Sequence, residues 1–192
     1  MRNLLRFVLP VALAAALLWW VPWRDFTDSV DVAPGFRAYR ADHYRLAYPV
    51  DWQVKEGTDP SGRPRVEFNG PANEKGAYSA QVRVVTAAGW GYRLEDKVTQ
   101  FQAAASRGGY QVLDAAAVTV RGARSAYRFE IVTRTKTATG ASVRLRGVRM
   151  LILSEERTLV EVSAEAPEEG EGQALLPRVL KSIRVDDRRG LL

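Results

Sequence analysis

The residue types that usually carry enzyme chemistry are scarce in this chain. It has one histidine, His43, and no cysteine, so a histidine-based triad or general base has a single candidate. Asp42 adjoins His43, but neighbouring residues of a strand point to opposite faces of the sheet. The lack of cysteine excludes disulfides, thiol catalysis and thiolate-bound metals. We therefore interpret His43 as a surface residue at the start of a strand and predict that the chain is not an enzyme.

Motifs for phosphate and metal binding are also missing from the sequence. Gly89-Trp90-Gly91 lacks the continuation of a dinucleotide-binding loop. The glutamates between Glu155 and Glu171 do not have the spacing of a calcium loop, so we expect solvated and helix-opening carboxylates there. A glycosidase-type carboxylate pair stays open as an alternative, because such pairs are distant in the chain. The sequence accordingly predicts no catalytic residue, no cofactor and no metal ligand.

Two aromatic residues, Trp90 and Tyr92, lie in a loop that precedes a predicted helix. Packing over the start of that helix is one interpretation of them. The other is contact with a partner, because aromatic side chains are enriched at protein interfaces. Trp90 and Tyr92 are the residues that we predict as partner contacts.

The first 23 residues form an apolar segment in which Arg2 and Arg6 are the only charged side chains. As a helix rising about 1.5 Å per residue, residues 4–23 would span about 30 Å, the thickness of a hydrocarbon core. We predict a single-pass signal-anchor over residues 1–23, which contacts the lipid bilayer through residues 4–23. The flanking arginines predict a cytoplasmic N-terminus and an extracytoplasmic C-terminal domain at the cell membrane. A cleaved signal peptide is the alternative.

The composition limits the classes of partner. The chain has 28 basic and 22 acidic residues, a formal net charge of +6, and its arginines are spread along the sequence. Nucleic-acid binders usually show a concentrated basic stripe with interleaved aromatics, so we predict no nucleic-acid partner. The absence of cysteine in a predicted extracytoplasmic domain favours a bacterial protein.

Pro34-Gly35 is a turn signal that ends a predicted linker of residues 24–36. Residues 37–187 are predicted as one domain, and residues 188–192 as a tail. Leu94, Val98, Phe101 and Ala105 share one face of a helix predicted for residues 94–107. Strands are predicted for residues 44–49, 52–55, 65–68, 77–86 and 112–120.

The most constrained prediction is a hairpin that pairs residues 127–137 with residues 142–153 around Thr139-Gly140. A two-residue loop would place six apolar residues on one face and set Glu130 opposite Arg149 on the other. The three apolar pairs are Tyr127 with Ile152, Phe129 with Met150, and Ile131 with Val148.

A third strand is predicted beside this hairpin, after a turn at residues 155–157. It places Val160 beside Ile152 and Val162 beside Met150. A helix is predicted within residues 168–183, with Pro177 in its first turn because proline is poorly tolerated in a helix interior.

The order of the elements predicts an α+β domain: a largely antiparallel sheet with helices on both faces, preceded by one N-terminal transmembrane helix. Two segments carry a family resemblance. Residues 44–52, YRLAYPVDW, resemble the opening strand and turn of the Mog1/PsbP-like family, and residues 176–185, LPRVLKSIRV, resemble its closing helix and strand. The resemblance extends over residues 36–186. It implies a role in binding rather than catalysis, and it assigns no metal or partner residue.

These observations favour a membrane-anchored, extracytoplasmic, non-catalytic binding or accessory domain for an envelope partner. One alternative is a small-ligand or lipid-binding protein with a pocket between the sheet and a helix. A carboxylate-dependent enzyme is the other. A closed apolar pocket would favour the ligand-binding protein, and two converging carboxylates would favour the enzyme.

Overall fold

The computed structural model describes residues 32–72, 78–136, 140 and 142–185. Strands account for more than half of these residues. Within the described ranges there are ten strands and two helices. The strands are β1 (Phe36–Arg40), β2 (Tyr44–Pro49), β3 (Gln53–Thr58), β4 (Pro64–Asn69), β5 (Gln81–Ala87), β6 (Gln111–Val118), β7 (Ala123–Lys136), β8 (Ser142–Ser154), β9 (Leu159–Pro167) and β10 (Arg184–Val185), and the helices are α1 (Leu94–Arg107) and α2 (Gly172–Ser182).

The predicted fold class, an α+β sheet with helices on both faces, is wrong because strands dominate and a second sheet, not helices alone, covers one face of the large sheet. The described part of the chain is mainly β and forms two sheets, one with the order β1-β2-β10 and one with the order β3-β4-β5-β9-β8-β7-β6. The small sheet was missed because β1 has five residues and β10 has two. Strands this short cannot display a clear period-two pattern. The first of them begins at Phe36, inside the predicted linker.

The predicted membrane anchor, residues 1–23, lies outside the described residues, as do most of the linker and the tail. Within the part of the chain that the structure describes, neither helix is long and apolar enough to cross a membrane.

The helix α1 has the bounds predicted from its apolar spacing. The Asp96 carboxylate accepts a hydrogen bond from the backbone N–H of Arg93 at 3.3 Å, and Gly108 ends the helix by donating to the Ala104 carbonyl at 2.8 Å. Local capping and periodicity agree here, which is why the sequence predicted this element well.

The hairpin of β7 and β8 forms, but its register differs by one residue from the prediction. Phe129 faces Arg149, and Glu130 faces Val148. Lys136 pairs with Ser142, so an odd number of residues connects the strands instead of the assumed two. A shift of one residue changes which side chains of the two strands lie on the same face of the sheet. Phe129 and Met150 are thus both buried, but on opposite faces, and the predicted Glu130–Arg149 pair does not form.

The predicted neighbours across β8 and β9 are confirmed: Ile152 pairs with Val160, and Met150 pairs with Val162. The connecting turn is closed by the Ser154 hydroxyl, which accepts the Thr158 backbone N–H at 3.0 Å. Arg157 has a φ of 60° in this turn, a conformation that is uncommon outside glycine.

Two apolar clusters lie on the two faces of the large sheet. On the first face, α2 and the small sheet pack on a core that includes Ile152, Val162 and Trp52. Trp52 is 5% exposed and belongs to this core. On the second face, α1 packs on Phe129 and Leu151. We call these the α2 face and the α1 face.

The helix α2 starts in close contact with the residues that precede β5. A Cβ atom on Gly172 would lie 1.9 Å from the Ser79 carbonyl oxygen, so a residue without a side chain is required at this contact. Pro177 lies in the interior of α2 rather than in its first turn. It cannot donate a hydrogen bond to the preceding turn, so tertiary packing supports a helix that its local sequence disfavours.

Candidate functional site

An open groove of about 450 Å³ lies on the α2 face, beside the helix. The turn between β6 and β7 forms one end of it, and β7 and β8 form its base. The residues that line it are Val118, Thr119, Val120, Arg121, Arg128, Glu130, Arg146, Gly147, Val148, Met150, Gln173, Leu176, Pro177, Leu180, Lys181, Ile183 and Arg184. We refer to it as the basic groove.

The groove exists because α2 does not cover the whole face of the sheet. The helix packs on β9 and on β2, and its apolar stripe buries Leu176 and Val179 in the core. The adjoining part of β8 is left beside the helix, so Val148 and Leu180 are only half-buried. These side chains give the groove an apolar floor.

Charged side chains surround this floor unevenly. The Glu130 carboxylate is the only acidic group among the residues that line the groove. It pairs with Arg128 and, at 3.5 Å, with Arg146. Arg121 and Lys181 have no carboxylate partner among the described residues. Cations therefore outnumber carboxylates by five to one along the rim, which produces a locally positive potential. The five cations are Arg121, Arg128, Arg146, Lys181 and Arg184.

The end of the groove near β10 is held by backbone contacts. Gly122 has a φ of 80°, and a Cβ atom there would lie 2.0 Å from the Val185 carbonyl oxygen. This close approach lets the Val185 N–H donate to the Arg121 carbonyl at 3.0 Å. The Arg184 guanidinium donates to the carbonyls of Lys181 and Ile183 at 2.8 and 3.0 Å. The side chains at this end therefore project from a fixed backbone.

The helix side of the groove is tied to both sheets. The Ser182 hydroxyl accepts the backbone N–H of Ala47 at 2.8 Å and donates to the Val179 carbonyl at 2.6 Å. At the other end of α2, the Gln173 amide donates to the carbonyls of Arg146 and Ala166, both at 2.9 Å. The groove is thus preformed, as is usual for binding sites.

The chemistry of this site suits binding better than catalysis. A hydrolase of the glycosidase type needs two carboxylates, and the groove contains one, Glu130. Among the described residues, no three His, Asp or Glu side chains are grouped so that they could hold a metal ion. The groove offers an apolar floor, and the charged hydrogen-bond donors around it are all cationic side chains.

The single histidine lies elsewhere, next to β2 in a smaller cavity of about 240 Å³. Tyr39, Tyr44 and Glu56 also line this cavity, and the Tyr39 hydroxyl donates to the Glu56 carboxylate at 2.7 Å. Burial, and then this hydrogen bond, raise the pKa of Tyr39. Burial also raises the pKa of Tyr44. Both phenols therefore stay neutral at physiological pH, and neither provides a base.

The predicted partner contacts, Trp90 and Tyr92, lie together on the α1 face and not in the groove. Their ring centroids are 5.4 Å apart. Trp90 is half-buried against the α1 cluster, whereas Tyr92 is 69% exposed. The Arg157 guanidinium holds this loop by donating to the carbonyls of Trp90 and Gly91 at 3.2 and 3.0 Å. A partner contact at Trp90 and Tyr92 stays a prediction.

A second groove, of about 490 Å³, is lined by Tyr78, Tyr110 and Lys136 among others. Its walls adjoin residues 73–77 and 137–139, which the structure does not describe. The basic groove is the better candidate because only described residues line it and because its floor is apolar.

Nothing in the sequence marked the cations of the groove rim. Lys181 and Arg184 are neighbours in one segment, but Arg121, Arg128 and Arg146 come from three other places in the chain. The clearest available signal was the register of β7 and β8, which decides whether Arg128 and Glu130 of β7 share a face with Arg146 and Val148 of β8. The predicted register was off by one residue, so that signal was lost.

Comparisons with known proteins place this arrangement among solved folds. No protein-family model matches the sequence, and the search of curated proteins found no match. The cyanobacterial PsbP protein CyanoP from Synechocystis sp. PCC 6803 is similar in structure, with a TM-score of 0.53 and 16% identity over 80% of this chain and 94% of that chain. The Ran-binding protein Mog1p from Saccharomyces cerevisiae is similar with a TM-score of 0.50 and 14% identity, over 80% of this chain and 96% of that one.

A protein from Bacteroides thetaiotaomicron also matches, with a TM-score of 0.44 and 14% identity. The match covers 75% of this chain and 45% of that chain, so this chain spans less than half of that protein. Identities this low establish a fold and nothing further. The likeness to CyanoP and to Mog1p confirms the resemblance seen in residues 44–52 and 176–185: this chain has the Mog1/PsbP-like fold.

Proposed function

We propose that this chain is a non-catalytic binding domain that docks a segment of a partner protein in the basic groove. The observation that carries the proposal is an apolar floor bordered by two cations, Arg121 and Lys181, that have no carboxylate partner among the described residues. Interfaces often combine an apolar centre with a polar rim. Clustered cations that lack carboxylate partners do not help the fold itself, because like charges repel.

The fold supports this proposal. Mog1p, which has the same fold at a TM-score of 0.50, is named as a Ran-binding protein, so a sheet of this type can serve protein recognition. Fold likeness alone does not transfer a partner. The partner of this chain has to be recognised by the chemistry of its own groove.

The shape and charge of the groove favour protein docking over the alternatives. A small-ligand or lipid-binding protein usually encloses most of its ligand, whereas this groove is partly open to solvent. A carboxylate-dependent enzyme needs a second acid near Glu130, and the residues that line the groove include none. Docking of an extended segment fits an open, preformed groove best.

Site-specific photo-crosslinking in cells tests the proposal. A benzophenone amino acid is placed at Pro177 or Arg121, both in the groove, and as a control at Gln100, which is exposed on α1. We expect a discrete protein adduct from the groove positions and none from Gln100. The adduct at position 177 should weaken when Arg121→Glu and Lys181→Glu invert the rim charge. Equal adducts from all positions, or none from the groove, would contradict the proposal.

The extracytoplasmic location and the envelope partner stay predictions. They rest on residues 1–23, which lie outside the described residues. Protease added to intact spheroplasts should degrade the domain if it lies outside the cytoplasm. A protected domain would contradict this prediction and would leave the groove proposal untouched.

A further inference from the structure

We infer that the segment held in the basic groove is acidic: a short stretch with one or two large apolar side chains and a carboxylate on each side of them. This inference rests on the proposed function, in which the groove binds a partner protein. It goes further by stating which chemistry the partner must present.

The first argument is the charge that the groove leaves unbalanced. Glu130 is already shared by Arg128 and Arg146. The remaining rim cations face no acidic residue among those that line the groove. Complementary potentials across an interface steer association and suppress wrong partners. A basic partner would meet like charge, and a neutral one would leave these cations without compensation.

The second argument is where the charges lie along the helix. Arg121, Lys181 and Arg184 are at the C-terminal end of α2, where the Val185 N–H meets the Arg121 carbonyl. Arg146 is at the other end, where its carbonyl accepts the Gln173 amide at 2.9 Å. Eight residues of helix separate Gln173 from Lys181, about 12 Å at 1.5 Å per residue. An extended segment covers that distance in roughly four residues.

The third argument is the apolar floor between these two ends. Met150 is buried at its base, and Val148 and Leu180 are half-buried beside it. A volume of about 450 Å³ is in the range of sites for a single drug-sized ligand. It therefore takes one or two large side chains rather than a folded element. The acidic residues of the partner should flank that anchor, roughly three to four residues apart.

The same argument separates a protein segment from an anionic amphiphile such as a fatty acid. An amphiphile carries its charge at one end, so it needs cations at one end of an apolar groove. Here cations occupy both ends of the floor: Arg146, which shares the single carboxylate of Glu130 with Arg128, lies at one end, and Arg121 and Lys181 lie at the other. A segment with two separated carboxylates matches this pattern.

The test is a fluorescence anisotropy titration of the purified full chain with three labelled decapeptides. All three share a central leucine–phenylalanine pair, which is flanked at both sides by glutamates, glutamines or lysines. We expect the glutamate peptide to bind at least about tenfold more tightly than the glutamine peptide, since two or more charge pairs of up to about 1 kcal/mol each amount to such a factor. Its affinity should fall as salt is raised, and the lysine peptide should not bind.

Two pairs of substitutions locate the effect. Arg121→Gln with Lys181→Gln removes two rim cations that form no ion pair among the described residues. This double substitution should weaken binding of the glutamate peptide about tenfold. Lys55→Gln with Arg107→Gln makes the same change in net charge on the outer strand β3 and at the end of α1. This control pair should leave the affinity unchanged.

Several outcomes would overturn the inference. They are equal affinity for the glutamate and glutamine peptides, an equal loss in both pairs of variants, or no binding of any peptide. Saturable binding of oleate that the groove variants abolish, without binding of the glutamate peptide, would assign the groove to amphiphiles instead. If crosslinks from position 177 persist while the glutamate peptide shows no advantage, the proposed function stands and the acidic segment is wrong.

Discussion

The two faces of the large sheet both carry several cations but arrange them in opposite ways. On the α1 face, three glutamates bridge to nearby cations. On the α2 face, one carboxylate serves a rim of five cations. The bridges of the α1 face are Glu161 with Arg63 at 2.7 Å and Lys97 at 3.4 Å, Glu67 with Arg83 at 3.0 Å and Arg65 at 3.6 Å, and Glu165 with Arg149 at 3.2 Å.

This difference separates cations that are ion-paired within the fold from cations that have no carboxylate partner among the described residues. Partly exposed ion pairs contribute only about 0–1 kcal/mol each, but they neutralise a strip of the sheet. Among the residues that the structure describes, no carboxylate neutralises Arg121 or Lys181 on the groove rim. A protein gains nothing in stability from clustered cations, so the imbalance is best explained by a negatively charged partner.

The largest expected effect concerns the core beneath the α1 face. Phe129 is 0% exposed and packs against Phe101 with ring centroids 4.5 Å apart. We expect Phe129→Ala to lower the free energy of unfolding by about 3–5 kcal/mol, because the truncation removes buried area and leaves a cavity. Urea denaturation followed by tryptophan fluorescence measures this. A loss below about 1 kcal/mol would mean that the α1 face is not a true core.

A smaller effect is expected where α2 meets the sheet. Gly172→Ala places a methyl group against the Ser79 carbonyl, and the helix must shift, at a cost of roughly 1–3 kcal/mol. Gly57→Ala in β3 is the control, because a Cβ atom there would have no neighbour within 4 Å. We expect the control to keep wild-type stability. Equal unfolding midpoints for the two variants would contradict the tight seating of α2, and with it the rigid wall of the groove.

The charge comparison itself predicts a difference of about 1 kcal/mol or less. Glu161→Gln removes the partner of Arg63 and Lys97 and should lower the free energy of unfolding by about 0.5–1 kcal/mol. Arg121→Gln and Lys181→Gln should leave it unchanged or raise it slightly, since they relieve repulsion. Denaturant unfolding at low salt resolves the two cases. If the groove variants destabilised as much as Glu161→Gln, the rim cations would be structural.

The smallest expected change in stability at neutral pH comes from Tyr44→Phe. At high pH the same substitution should have a clear effect. Tyr44 is 2% exposed, and burial raises its pKa. A raised pKa in the folded state stabilises the fold below the unfolded-state value of about 10, and this contribution is lost as the pH rises above it. We expect the wild-type chain to lose stability from about pH 10 upward and Tyr44→Phe to lose less. Identical alkaline profiles would show that Tyr44 is not the group responsible.

What could be predicted from the sequence was whatever depends on local pattern. The bounds of α1 followed from the apolar spacing of its residues. The neighbours in β8 and β9 followed from a short turn of fixed length. In each case the deciding residues are close in sequence, so physical rules for single elements were enough.

The register of the long hairpin, the small sheet and the groove depend on contacts between residues that are far apart in the sequence, and rules for single elements do not predict such contacts. The register of β7 and β8 was set by the number of residues between Lys136 and Ser142, and one residue more or less exchanges the two faces. The small sheet depends on Val185 meeting Tyr44, which is a tertiary contact of a two-residue strand. The groove depends on strand register and on tertiary contacts. Its rim residues come from separate elements, and its floor is the part of the sheet that α2 does not cover.

The most direct test of the unbalanced groove as a binding surface is an NMR titration of the ¹⁵N-labelled full chain with the glutamate-flanked peptide. The predicted result is that amide shifts change at the groove, at Gly147, Val148 and Arg184, and that they disappear in the Arg121→Gln, Lys181→Gln variant. The ion-paired strip of the α1 face, around Glu67 and Glu161, should stay unchanged. Shifts that appear on the α1 face, or that persist when the rim cations are removed, would contradict the account.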